Sequence, residues 1–152
     1  MASKSNLNQI AVVALSIGVM DMITDKYGMC IDLGDYMAMQ DARESAQGAL
    51  RGLGVSDIGP KDEKRIRKLI AAFTGHIEDR HGNIATITSL ALGLMSDVLD
   101  LTKNLKKYFA IYDAYQWLMD VHKRFDPECE FIGAYEDAAV LTETWRLVLE
   151  AA

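Results

Sequence analysis

From Leu94 to Asp126 the sequence contains neither glycine nor proline, and the 152-residue chain holds only two prolines in all. Proline removes a backbone donor and glycine carries an entropic cost in a helix interior, so their absence leaves a run of this length free to be helical. A β-sandwich of the same length needs turn residues every ten positions or so, and they are missing here. The expected fold is a single all-α bundle of five to seven helices spanning residues 1–152. Half the residues are apolar and a quarter are charged, a globular composition that excludes a disordered or fibrous chain.

The periodicity places the helices. A first helix is expected from Asn6, with Gln9 as its capping-box partner, to Tyr27, ended by Gly28. Ala11, Ala14 and Gly18 form a small-residue stripe on it, and Ile10, Val13, Ile17 and Met20 fill between, so little of this helix is left for water. The apolar stretch from Ile10 to Met20 is short for a membrane span and runs straight into Asp21 and Asp25, with no signal-peptide cleavage pattern. It reads as the core helix of a cytosolic protein. A second helix is expected from about Asp35 to Leu53. Gly59-Pro60 opens a third, whose Ile66, Leu69, Ile70, Phe73 and Ile77 share one face until Gly82. Asn83 caps a fourth, striped by Ile84, Ile87, Leu90, Ala91, Leu94 and Val98. Whether it continues into the next or breaks near Thr102–Asn104 is left open by the pattern. Asp126-Pro127-Glu128 is a further start signal, and Ala138, Leu141, Trp145, Val148 and Leu149 stripe the last helix.

The two halves resemble each other. Gln9-Ile10-Ala11 matches Asn83-Ile84-Ala85, Ile17-Gly18-Val19-Met20 matches Leu92-Gly93-Leu94-Met95, Tyr36-x-Ala38-x-Gln40 matches Tyr112-x-Ala114-x-Gln116, and Ile58-Gly59 matches Ile132-Gly133, all at offsets of 74 to 76 positions. A duplication would give repeat halves 6–80 and 81–152 related by a pseudo-twofold, with the first and fourth helices crossing at Gly18 and Gly93. Chance likeness between apolar helices accounts for the same matches.

A net charge of −6 at pH 7 makes general attraction to nucleic acid or to an anionic membrane an unfavourable reading. Cys30 and Cys129 lie in no metal or redox motif, which fits reduced thiols. His76, Glu78, Asp79 and His81 crowd together, but the two histidines are five apart and do not share a helical face, so a charged helix end is the simpler reading. His122 stands alone in the sequence. No nucleophile–base constellation and no phosphate loop can be assembled, and no cofactor is implied.

Asp97 and Asp100 sit three apart on one helical face, followed by Asp113 and Asp120. Paired acids on facing helices can hold Mg²⁺ through several carboxylate oxygens. This stretch of about a dozen residues resembles the all-α MazG-type nucleotide pyrophosphohydrolases, whose signature is Glu-x-x-Glu followed by Glu-x-x-Asp. The resemblance implies a Mg-dependent nucleotide hydrolase with Asp97 and Asp100 as metal ligands. Both are Asp here rather than Glu, and Ala110 stands three before Asp113, so the second pair is incomplete. A solvated acidic helix edge is the competing reading.

Two surfaces suggest protein contacts. Lys61, Lys64, Arg65, Arg67 and Lys68 supply five of the sixteen basic residues, and Lys64, Arg65 and Lys68 face away from the apolar stripe of their helix. Such a run is either a solvated face or a dock for an acidic partner. Tyr108, Tyr112 and Tyr115 line one face of the helix after Thr102, with Phe109 and Trp117 beside them, five of twelve aromatics. A helix this apolar either crosses the core or is covered by a partner on its outer side. The tyrosine hydroxyls favour the second, because they must stay hydrated or paired. The expected function is therefore a non-enzymatic protein-binding module. It would be a small acidic accessory or inhibitor protein of bacterial or phage type, docking Tyr108, Tyr112, Tyr115, Trp117, Lys64, Arg65 and Lys68 on a larger partner or on a second copy, without direct contact to nucleic acid or membrane. The alternatives are the nucleotide hydrolase and an acidic mimic of nucleic acid.

Overall fold

The computed structural model describes residues 4–80 and 84–126, and these form an all-α bundle without strands. Five helices follow in order: α1 (Lys4–Tyr27), α2 (Leu33–Gly52), α3 (Pro60–Arg80), α4 (Ile84–Leu101) and α5 (Leu105–Phe125). The helices expected after Asp126, and the side chains of the 76–81 cluster, lie outside the described residues.

Local chemistry sets the boundaries. α1 begins at Lys4, ahead of the expected Asn6 cap, and Gln9 is not a capping partner. Its amide is buried and donates from Nε2 to Thr102 Oγ1 at 3.1 Å. α2 starts two residues before Asp35, because the Asp32 carboxylate accepts the backbone N–H of Asp35 at 2.7 Å. Gly54 follows α2 at φ 82, a left-handed conformation that costs a residue with a Cβ about 1–2 kcal/mol. The run from Leu94 to Asp126 breaks without glycine or proline. Thr102 Oγ1 donates back to the Val98 carbonyl at 2.7 Å, and Asn104 Oδ1 accepts the Lys107 N–H at 3.1 Å to cap α5. Side chains that compete for backbone partners end one helix and start the next.

α1 and α4 form the centre. Leu15, Val19 and Ile23 of α1 are inaccessible to solvent, as are Leu90, Leu92, Leu94 and Met95 of α4. α1 packs on α2, α3 and α4, while α5 packs on α4 and α2. By length and composition the stretch Leu7–Tyr27 would also suit a membrane span, and 61% of its apolar window is buried within the bundle. At Gly18 of the α1 stripe the close neighbour is α3. A Cβ built on Gly18 would stand 2.9 Å from Ile70 Cγ2 of α3.

Overpacking at such a site costs about 1–3 kcal/mol, against a helix-propensity gain of about 1 kcal/mol for alanine. Gly18→Ala is accordingly expected to destabilise the bundle by about 1 kcal/mol in urea titration. Combining it with Ile70→Ala should cost less than the sum of the two single changes.

α2 and α5 lie antiparallel. Arg124 of α5 pairs with Asp35 at 3.1 Å, Ser45 donates to Asp113 at 3.0 Å, and Gly52 faces Ala110. α1 pairs with α2 as α4 pairs with α5, and the cross-pairs are α1 with α4 and α2 with α5.

Candidate protein-docking surface

α5 divides into two faces. Ile111, Ala114, Leu118 and Val121 point into the core and are buried. Phe109 is 61% exposed, Trp117 39% and Tyr112 38%, while Tyr108 and Tyr115 are half-buried at the edge. Three aromatic bodies are thus left at the surface of one helix. The tyrosines form a ladder, with Tyr108 and Tyr112 ring centroids 6.0 Å apart and 14° from parallel, and Tyr112 and Tyr115 6.3 Å apart at 15°. Spacings of four and three residues stack successive rings on one helical face, so each restrains its neighbour. Ala114 and Val121 turn inward, and Trp117 stands at the rim.

The aromatic face adjoins a furrow along the α2/α5 seam. One groove of about 610 Å³ has Gly48, Ala49 and Ala110 among its lining residues, together with Phe109, Tyr112 and Lys106. A second, of about 490 Å³, is lined by Trp117, Asp41, Glu44, Arg51, Ser45 and Asp113, and shares the last two with the first. Space exists at Gly48 because it has no side chain; a Cβ there would find its nearest neighbour, Arg51, at 3.7 Å. The α2 side of this furrow was missed by the sequence reading. The available signal was the spacing of Ala42, Ala46 and Ala49, which are buried on α2, the last of them lining the furrow beside α5.

The basic face of α3 is on the surface, with Lys64 and Lys68 exposed. Arg65 is half-buried and pairs with Asp62 at 3.3 Å, and Arg67 pairs with Glu63, so part of this charge is neutralised within the helix. It lies on a different helix from the aromatic face. Asp97 is half-buried and Asp100 exposed on α4. Among the described residues no three His, Cys, Asp or Glu side chains come together as a metal-binding group.

His122, solitary in the sequence, has partners in the fold. Its Nδ1 lies 2.7 Å from Thr88 Oγ1 and its Nε2 lies 3.0 Å from Asp126 Oδ2. Asp126 sits one turn on from His122 and was within reach of a spacing argument; Thr88 is 34 residues away on α4 and was not. The trio has the residue types of a hydrolytic triad but a structural setting. Thr88 is inaccessible, and its hydroxyl is also 3.1 Å from the carbonyls of Ile84 and Ala85, with no room for a reacting carbonyl. What the network does is fasten the C-terminal turn of α5 to α4.

α5 thus presents an aromatic helix face beside a furrow, and Leu33, Tyr36 and Met37 of α2 expose a second apolar group. No protein-family model matches the sequence, and no curated protein and no solved structure matches it at a significant level.

Proposed function

We propose that this chain is a non-enzymatic protein-binding module, a small acidic accessory or inhibitor protein of the cytosol that docks the outer face of α5 on a partner protein or on a second copy. The observation that carries the reading is the exposure of Phe109, Tyr112 and Trp117 on a helix whose opposite face is already buried. Large aromatic side chains left in water forgo the burial free energy of about 25 cal/mol per Å² that a partner would supply. The stacked tyrosines add pre-organisation, which lowers the ordering cost of association.

The test pairs two substitutions outside the core. Phe109→Ala combined with Tyr112→Ala is expected to weaken self-association or partner capture by about tenfold or more, with circular dichroism and melting temperature nearly unchanged. Light scattering reports the first occupant, and capture by the immobilised chain followed by mass spectrometry reports the second. Unfolding of the double variant, or undiminished association, would contradict the reading. Tyr115 is a poorer probe, because it is half-buried against the core and its loss also disturbs packing.

A further inference from the structure

The furrow carries information on what it accepts. Around Trp117 the rim holds three carboxylates, Asp41, Glu44 and Asp113, against one guanidinium, Arg51. Asp41 and Glu44 make no ion pair among the described residues, and Asp113 accepts only a neutral hydroxyl, from Ser45. Toward Phe109 and Tyr112 the furrow has a small-residue floor of Gly48, Ala49 and Ala110, with Lys106, Asp113 and Gln116 also lining it. Small residues let a helix backbone approach closely, and an aromatic ring beside carboxylates favours a cation, which gains both the ring face and the negative field.

From this charge complementarity we infer that the furrow docks an amphipathic helix of a partner protein, with a Lys- or Arg-bearing turn beside Trp117 and apolar side chains laid between Phe109 and Gly48. The inference rests on the protein-docking reading and names the chemistry of its partner. The occupant is a helix seated in a groove, its apolar residues spaced three and four apart. Its basic turn sets its direction along the seam, since reversing the helix would carry the cations past Lys106. The weak salt-bridge contribution of any single exposed pair makes the charge term a matter of orientation and encounter rate, with the small-residue floor giving the residence time.

The experiment uses the full chain and two designed helices of about five turns, identical in their leucine and alanine positions and carrying either lysine or glutamate at the polar ones. The lysine helix is expected to bind with a one-to-one endpoint in calorimetry and to weaken as salt is raised, and the glutamate helix to bind about tenfold less tightly or worse. Glu44→Lys with Asp113→Lys should reverse that preference, and Gly48→Phe, which obstructs the furrow, should abolish binding of both. Asp100→Lys on α4 should change nothing.

Equal binding of the two helices would overturn the inference, and so would loss of lysine-helix binding in Asp100→Lys, since diffuse attraction to an acidic surface would then suffice. A free chain whose furrow is already filled by a second copy in light scattering would overturn it as well. If neither helix binds while association that depends on Phe109 and Tyr112 persists, the cationic-helix assignment fails and the docking reading stands.

Discussion

Replacing His122 by alanine is expected to cost about 2–5 kcal/mol of folding stability, from buried hydrogen bonds lost and the cavity left behind, a large share of what a domain of this size has. The imidazole is 5% exposed and bridges a threonine with no exposure to an aspartate that is 3% exposed. Deleting it takes a ring N–H from the Asp126 carboxylate and leaves Thr88 facing a void. With Nε2–H directed at Asp126, the Thr88 hydroxyl is placed to donate to Nδ1. In a double-mutant cycle, His122→Ala with Asp126→Ala should destabilise by less than the sum of the single changes, because both changes remove the same hydrogen bond. A shift of less than about 1 kcal/mol for His122→Ala in urea unfolding would show that the bridge is not formed.

The second large effect separates the two faces of α5. Leu118 has no exposure and packs in the common core, so Leu118→Ala is expected to cost about 2–5 kcal/mol from lost transfer free energy and the cavity left behind. Phe109→Ala, nine residues earlier on the same helix, removes a larger side chain that is mostly in water and should cost less than about 1 kcal/mol. The contrast is a test of orientation that no single variant provides. Were both changes to destabilise alike, the aromatic residues would belong to the interior.

Much of this architecture was legible because it depends on near-neighbour rules. Pro60 at the first position of α3, Gly54 after α2 and the apolar stripe through Ile66 and Phe73 follow from spacing and turn chemistry alone. Helix α1 was readable as nearly dry because its apolar residues leave no polar face. The break between α4 and α5 was not decidable, since it comes from Thr102 and Asn104 satisfying backbone groups, a choice that the burial of Gln9 against Thr102 helps to fix from 93 residues away. The same limit applies to the site. Phe109, Tyr112 and Trp117 were visible as an aromatic cluster, but their exposure depends on which face of α5 meets α4 and α2. The furrow needs Gly48 and Ala110 opposite each other on antiparallel helices, and nothing local in either segment specifies that pairing.

Tyr36 and Tyr112, matched at an offset of 76, are both exposed, at 43% and 38%, and Leu33 and Phe109 stand in the same relation at 73% and 61%. Arg124, 76 positions after Gly48, reaches across to Asp35 at the opposite end of the seam. The arginine occupies space there, whereas the glycine leaves the furrow open at the other end.

Exposure of the α5 aromatic face to a protein neighbour is tested most directly by photocrosslinking in living cells, with a light-activated aromatic amino acid in place of Phe109 and, as the comparison, in place of Asp100 on α4. Position 109 is expected to yield one discrete protein adduct, either to a partner or to a second copy of the chain, and position 100 only the diffuse background. Background alone at both positions, with the chain folded, would contradict the docking surface.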